Sequence, residues 1–218
     1  MKLATKNFIY VVTCLTVATI GISPDLHNHS KQKEQQIVIA TANNKSRTIK
    51  NTSETISNHM RTPIDWHKSS ETVPYPDLSK VKDFWIKVSL KKNRTYLYDG
   101  QKLIYTMYSS GGMYTKNPQT GKTESMTPIG TYYAQAERGN SFFNQSLGEG
   151  ANYYVSWLNH GTYLFHSVPT KAGGTYNVKE ADKLGKSTGS HGCIRLSIPD
   201  AQWMSSHLPV GTKIKIVN

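Results

Sequence analysis

The C-terminal part of this 218-residue sequence predicts a mainly β fold, a β-sandwich or β-barrel with one or two short helices. Apolar and polar residues alternate along residues 84–90, which is typical of a half-buried strand. Asp99-Gly100 separates two strand-like runs, as a tight hairpin turn does. Fifteen of the sixteen glycines lie at or after Gly100, which supplies this part with turn residues. Several short strands with few helices favour a sandwich or barrel.

The strands can be assigned in chain order. In residues 84–90, Phe84, Ile86, Val88 and Leu90 alternate with more polar side chains. The other predicted strands are short apolar or aromatic runs between turn residues, at 95–98, 102–109, 130–136, 153–157, 163–167, 193–196 and 213–217.

One helix is predicted near the C-terminus. Ser197 is suited to the N-cap and Pro199 to the first turn. The helical run extends to His207, and Pro209 and Gly211 end it.

Residues 1–22 predict an export signal or a signal anchor. Lys2 and Lys6 precede an uncharged apolar run at residues 8–22. The run is shorter than the roughly 20 residues that span a bilayer, and no clear small-x-small cleavage site follows it. We therefore expect an extracytoplasmic protein, either secreted or anchored by this segment. Cys14 lies inside the run and is interpreted as a small apolar residue.

Residues 23–79 predict a disordered or loosely structured tether. They are rich in Ser, Thr, Asn, Lys, Gln and His, with only brief apolar patches. Such a composition buries too little apolar surface to offset the entropy of ordering the chain. The folded domain is therefore expected to span residues 80–218.

The charge balance indicates a polyanionic neighbour. The chain has 26 basic and 14 acidic residues, a formal net charge of +12, and this excess attracts anionic wall polymers, lipid head groups or nucleic acid alike. No nucleic-acid-binding motif accompanies the basic residues, and a solubilising surface explains them equally well. Two cysteines exclude a zinc ribbon and a disulfide-stapled miniprotein.

The most informative stretch is Ser190-His191-Gly192-Cys193, with Arg195 beyond it. A thiol is mostly protonated at neutral pH, so a nucleophilic cysteine requires a nearby base or a positive field. The glycine before it allows a substrate carbonyl to approach and leaves backbone N–H groups for an oxyanion. These residues are consistent with acyl transfer.

His166 is the candidate base, because it lies at the end of the strand-like run 163–167. On residue types alone, an ordinary core cysteine and a hydrogen-bonded core histidine explain the pattern as well as catalysis does. A zinc site is disfavoured because no familiar ligand spacing joins Cys193 with His160, His166, His191 or His207.

The Ser-His-Gly-Cys motif resembles the signature of the L,D-transpeptidases, the YkuD-type catalytic domain of bacterial cell-wall enzymes. A histidine on an upstream strand and an arginine two residues after the cysteine complete the match. The resemblance extends over residues 84–218 and includes the segment TPIGTY at 127–132. It implies a YkuD-like β-sandwich or barrel and a protein associated with the cell wall.

The resemblance also implies a role for each motif residue. Cys193 is the nucleophile, His166 the general base, and the Ser167 backbone carbonyl orients the imidazole. The backbone of His191, Gly192 and Cys193 shapes the loop and the oxyanion hole, whereas Arg195 supports the substrate or the loop.

The implied reaction is a two-step acyl transfer without metal or cofactor. The thiolate attacks a tetrapeptide stem of peptidoglycan, D-Ala leaves, and an amine attacks the thioester to close a crosslink. The resemblance thus implies roles in wall organisation and cell shape, and acylation by carbapenem-type inhibitors. Two alternatives remain open: an L,D-carboxypeptidase or cysteine peptidase that hydrolyses stem peptides, and a non-catalytic wall-binding module.

Two segments are expected to shape the substrate rim. Residues 139–150 are dense in aromatics and glycines and predict a lid over the donor stem, with Tyr153, Tyr163 and Trp157 as candidate substrate contacts. Residues 171–189 make the spacing between His166 and Ser190 longer than is usual in the family pattern, which predicts a surface loop.

Overall fold

The computed structural model describes residues 59–218. The predicted export segment and the tether up to residue 58 lie outside the described residues. Within residues 59–218, no helix has the length and apolar composition needed to cross a bilayer.

The described part of the chain contains eleven strands, two α-helices and a single 3-10 turn at Leu78–Lys80. The strands are β1 Phe84–Ser89, β2 Arg94–Asp99, β3 Lys102–Ser110, β4 Tyr114–Lys116, β5 Thr123–Ser125, β6 Gly130–Tyr133, β7 Arg138–Asn144, β8 Glu149–Leu158, β9 Tyr163–Ser167, β10 Ile194–Leu196 and β11 Lys213–Val217. The helices are α1 Val178–Ala181 and α2 Ile198–His207.

Nine of these strands form one curled sheet in the order β6-β11-β1-β2-β3-β10-β9-β8-β7, while β4 and β5 form a separate hairpin. The sheet curls because Ser156 of β8 exchanges backbone hydrogen bonds with Gln135 and Glu137, which follow β6 at the other end of the order. Most neighbours are antiparallel, but β1 pairs with β11 and β9 pairs with β10 in parallel. The predicted mainly β fold is confirmed.

The main core combines side chains of the central strands and of helix α2. Ile86 and Val88 of β1 are buried, as the period-two pattern predicts, and they contribute to the same cluster as Ile214 and Ile216 of β11. Helix α2 covers this cluster with apolar side chains that include Met204.

The helix N-terminus is capped as predicted. The Ser197 side chain accepts a hydrogen bond from the Asp200 backbone N–H, and Pro199 lies in the first turn. The β2–β3 hairpin is also confirmed, with Gly100 in a left-handed conformation at φ +55°.

The structure corrects the tether prediction for residues 59–79, which we call the strap. Its Trp66 is buried and packs with the small apolar cluster that contains Tyr108 and Leu184. Ser70 Oγ donates to the buried Asp200 carboxylate and accepts a hydrogen bond from the Tyr108 N–H. Hydrogen bonds of polar groups, together with Trp66, attach the strap to the rest of the domain. Hydrophobic periodicity could not predict this attachment.

Candidate active site

A groove of about 670 Å³ contains the predicted nucleophile and base. Its lining residues are Glu137, Phe142, Asn144, Leu147, Glu149, Tyr154, His160, Gly161, Thr162, Leu164, His166, Ser190, His191 and Cys193. The parallel pairing of β9 with β10 aligns Arg195 with His166 and Ile194 with Phe165. Two strands that are distant in the sequence thus bring Cys193 and His166 to one groove.

The loop before β10 is held in shape by hydroxyl groups. Ser190 Oγ donates to the Cys193 carbonyl oxygen at 2.5 Å and accepts from the Gly192 N–H at 3.1 Å. Thr127 Oγ1 donates to the Gly192 carbonyl oxygen at 2.8 Å and accepts from the Gly112 N–H at 2.8 Å. Thr127 begins the TPIGTY segment, so that segment positions the catalytic loop.

Gly192 cannot carry a side chain in this loop. Its φ is +131°, a region that L-residues rarely adopt. A Cβ placed there would lie 2.6 Å from the Tyr163 ring and 3.0 Å from the Met126 carbonyl oxygen. The glycine therefore allows both the turn and the close packing behind it.

Two backbone N–H groups of the loop are available to an oxyanion. Within residues 59–218, the N–H groups of His191 and Cys193 have no hydrogen-bond acceptor. The Gly192 N–H, predicted to share this role, is instead bound to Ser190 Oγ. The structure thus retains two of the three predicted donors.

His166 is buried and fixed in one tautomer. Its Nδ1 lies 2.6 Å from the Ser167 carbonyl oxygen, the contact that the family resemblance implies. Because a carbonyl oxygen only accepts, Nδ1 carries the hydrogen and Nε2 keeps its lone pair. Burial, with a smaller contribution from the Arg195 charge, lowers the pKa of His166 to about 3. The imidazole is therefore neutral at physiological pH.

Burial favours the neutral form of Cys193 as well. Its thiol, half-buried at the groove, donates a weak hydrogen bond to the Thr162 carbonyl oxygen at 3.7 Å. Burial raises the pKa of Cys193 to about 11, although the Leu164 N–H and the Arg195 charge oppose that shift. The two groups thus form a neutral thiol and imidazole, since burial disfavours both charged forms.

Arg195 lies under the site in a cluster of charges. Its side chain is buried, and Nη2 donates to both Glu149 carboxylate oxygens at 2.7 and 2.9 Å. Nη1 donates to Glu180 of α1 at 2.9 Å. Arg195 is absent from the groove lining and connects Glu149 of β8 with Glu180 of α1.

None of the three predicted aromatic contacts lines the groove. Trp157 is 1% exposed and belongs to the core, so its assignment as a substrate contact is wrong. Tyr153 and Tyr163 pack partly buried against the same core and do not line the groove. Phe142 and Tyr154 line it instead. A count of aromatics along the sequence does not show which face of a strand each one occupies.

The segment predicted as a lid forms the β7–β8 hairpin. Phe142, Asn144, Leu147 and Glu149 of this hairpin line the groove. Phe142 contacts the His166 ring edge to face, with 5.5 Å between the ring centroids. Among residues 59–218, no group of three or more His, Cys, Asp or Glu side chains is arranged to hold a metal ion.

Comparison with known proteins gives the same family as the motif. Residues 83–216 match the family described as YkuD, the L,D-transpeptidase catalytic domain. The chain is 43% identical over 173 residues to the Bacillus subtilis (strain 168) protein named "Putative L,D-transpeptidase YciB", covering 79% of this chain and 84% of that protein.

Among solved structures, a Clostridium acetobutylicum protein described as a fused Zn-dependent amidase, peptidase and peptidoglycan-binding protein is 25% identical with a TM-score of 0.45, covering 78% of this chain and 59% of that one. An L,D-transpeptidase from Mycobacterium smegmatis is 20% identical with a TM-score of 0.46, covering 62% of this chain and 59% of that one. This chain therefore spans less than two thirds of these solved chains. With its match over residues 83–216 and its 43% identical relative, the chain belongs to the YkuD family of L,D-transpeptidase catalytic domains.

Proposed function

We propose that this protein is an L,D-transpeptidase of peptidoglycan that uses Cys193 as its nucleophile. The observation that carries the proposal is the pairing of Cys193 with a buried His166 in one groove. The Ser167 carbonyl fixes the His166 tautomer and leaves Nε2 as a proton acceptor. Membership of the family supports acyl transfer as the reaction class.

The proposed first step forms a thioester. Nε2 of His166 takes the Sγ proton as sulfur attacks the carbonyl carbon between the third stem residue and the terminal D-Ala. The N–H groups of His191 and Cys193 stabilise the oxyanion. The tetrahedral intermediate then collapses, the C–N bond breaks, and His166 gives its proton to the departing D-Ala amine.

The second step reverses the proton transfers. An acceptor amine attacks the thioester carbonyl and loses a proton to His166. The C–S bond breaks, and the proton returns to sulfur. A new amide is formed, and the enzyme regains its neutral thiol and imidazole.

The neutral resting pair has a mechanistic consequence. Because burial disfavours both the thiolate and the imidazolium, the proton moves during the attack and not before substrate binds. Arg195 stabilises the thiolate as it forms, while Glu149 limits the net positive field. This arrangement protects the thiol from unspecific modification.

Hydrolysis by water is the second candidate, because it shares the acyl-enzyme. The full chain should be incubated with purified tetrapeptide muropeptides and the products analysed by mass spectrometry. Dimers that have lost D-Ala support transfer, whereas tripeptides alone would indicate an L,D-carboxypeptidase. Cys193→Ala should abolish both products and Cys14→Ala neither. Full activity of Cys193→Ala would overturn the mechanism, and no turnover by the wild type would favour a non-catalytic wall-binding module.

We also propose an extracytoplasmic, wall-associated location and roles in wall crosslinking, organisation and cell shape. The positively charged N-terminus with its apolar run supports export. An L,D-transpeptidase structure contains imipenem, and we expect a carbapenem to acylate Cys193 here. Intact-mass measurement should show one adduct on Cys14→Ala and none on Cys193→Ala.

A further inference from the structure

A second groove has a strongly basic character. It shares no lining residue with the groove at Cys193. Its volume is about 540 Å³. It is lined by Met60, Lys87, Ser89, Lys92, Arg94, Tyr96, Tyr98, Leu103, Thr106, Val217 and Asn218. We call it the basic groove. No lining side chain is acidic.

The sheet register enlarges the positive area. Lys87 pairs with Lys215 across β1 and β11, and Trp85 pairs with Lys213. Because side chains alternate along a strand, the exposed Lys213 and Lys215 lie on the face opposite the buried Ile214 and Ile216. That face is the one that carries Lys87.

Within residues 59–218, Lys87 and Lys92 of the basic groove and the neighbouring Lys213 and Lys215 of β11 form no ion pair. Arg94, by contrast, is fixed by hydrogen bonds to the carbonyl oxygens of Lys92, Asn93 and Gly185, so it contributes charge but few free donors. The floor also contains the buried Thr106 hydroxyl, for which residues 59–218 provide no partner.

The groove at Cys193 has a different set of lining charges. Glu137 and Glu149 line it, and no lysine or arginine does, while the buried Arg195 pairs with Glu149 behind the lining. A polyanion is therefore attracted more strongly to the basic groove than to the groove at Cys193. The two grooves are suited to different ligands.

We propose that the basic groove binds a linear phosphate polymer. Lysine ammonium groups recognise phosphate as point charges, and a row of them along neighbouring strands suits a chain of repeated anions. Burial raises the pKa of Tyr96 and of Tyr98, so both phenols remain hydrogen-bond donors toward phosphate oxygens. The inference is independent of the proposed catalytic function.

The local packing favours a polymer over a membrane or a nucleic acid. None of the lining residues is an exposed large hydrophobic side chain that could enter a bilayer. The Trp85 and Tyr98 rings stack on each other at 4.6 Å, and Lys213 covers Trp85 at 5.3 Å. Both faces of Trp85 and one face of Tyr98 are therefore covered, which reduces the aromatic surface available for stacking with bases.

The test measures binding of the full chain to inorganic polyphosphate by fluorescence anisotropy at several salt concentrations. Lys87→Glu combined with Lys92→Glu should weaken binding at least about tenfold and reduce the salt slope by about 2. The matched control combines Lys122→Glu with Lys179→Glu, which changes the net charge equally at exposed sites outside the groove. The control should change the affinity less than about threefold. Salt largely screens exposed charges that lie farther than a Debye length from the bound polymer, so net charge alone has a weak effect.

Equal losses in both double variants would overturn the proposal, since only net charge would then matter. Tighter binding to phosphatidylglycerol vesicles or to an oligothymidylate than to polyphosphate would also overturn it, in favour of a membrane or a nucleic acid. A Lys87→Gln, Lys92→Gln variant, which adds no negative charge, should show an intermediate loss. Unchanged thermal unfolding of each variant verifies that the fold is intact.

Discussion

Arg195 of β10 donates a hydrogen bond to Glu180 of α1 at 2.9 Å. Glu180 belongs to the insertion at residues 171–189, which lengthens the spacing between His166 and Ser190. Arg195 also binds Glu149 at the groove wall. One buried guanidinium thus connects the insertion, the catalytic strand and the β7–β8 hairpin.

Arg195→Met should destabilise the protein and release the insertion. The substitution leaves the carboxylates of Glu149 and Glu180 without their shared cation, and breaking such a buried pair costs about 3 kcal/mol in the free energy of unfolding. Urea denaturation measures this loss, and limited proteolysis should show faster cleavage near Gly173. Lys183→Ala is the control, because its ion pair with Glu180 is partly exposed and is worth at most about 1 kcal/mol. Equal effects of the two substitutions would contradict the anchoring role.

Gly192→Ala should abolish acyl transfer. The new Cβ would meet the Tyr163 ring at 2.6 Å and hold a strained φ, so the loop would shift away from the groove. The expected loss of stability is about 1–3 kcal/mol. Gly173→Ala is a matched control, because Gly173 also has a positive φ, +83°, but no neighbour within 4 Å. If Gly173→Ala lost as much activity, backbone strain anywhere would be the cause and the contact with Tyr163 would be irrelevant.

The alkylation rate of Cys193 should keep rising well above neutral pH. The pKa of Cys193 is raised to about 11, so the thiolate fraction increases through that value as pH rises. His166, whose pKa is lowered to about 3, remains neutral and adds no step between about pH 5 and 9. Iodoacetamide labelling of Cys14→Ala, followed by intact mass, isolates Cys193. A plateau already reached near neutral pH would indicate a resting thiolate–imidazolium pair instead.

Ser70→Ala should loosen the strap. The substitution leaves Asp200 and the Tyr108 N–H without one partner each, and unsatisfied buried groups cost about 1–3 kcal/mol. Ser79→Ala serves as the control, because its hydroxyl bonds only the neighbouring, exposed Asp77. Denaturant unfolding distinguishes the two. Should Ser70→Ala prove as stable as Ser79→Ala, the strap would contribute little to the fold.

Leu147→Ala should raise the donor KM while leaving the reactivity of Cys193 unchanged. Leu147 is 47% exposed and lines the groove, so a donor stem can bury it on binding. Phe143 on the same hairpin is 48% exposed and lies outside the lining, which makes Phe143→Ala the control. Steady-state kinetics with a tetrapeptide donor measure the difference. An equal KM for both variants would contradict the hypothesis that this hairpin acts as a lid over the donor stem.

Most of the sheet was predictable because its central strands bury one face. β1, β9 and β11 show apolar alternation or compact apolar runs, and their bounds agree with the prediction within one residue. β7, with the sequence RGNSFFN, is a polar edge strand whose exposed face gives no such period. The β4–β5 hairpin is largely exposed and was missed for the same reason.

The candidate site was predictable where local sequence determines geometry. The contact of the His166 ring with the Ser167 carbonyl was implied by the family resemblance and joins adjacent residues, and the glycine before Cys193 was recognised from the sequence itself. The groove wall was not predictable, because it depends on which face of β8 Tyr154 and Trp157 occupy after a register shift between Ser156 and Leu158. The charge cluster around Arg195 depends on tertiary contacts that no local pattern encodes.

The parallel ladder between β9 and β10 joins the two parts of the chain on either side of residues 171–189. The ladder pairs Phe165 with Ile194 directly, and Arg195 holds α1 from below. Gly173 and Gly174 lie between β9 and α1 in the sequence and are exposed. A Cβ added at either one would meet no atom within 4 Å. We expect a chain cleaved between these two glycines to remain assembled as two fragments, one with His166 and the other with Cys193.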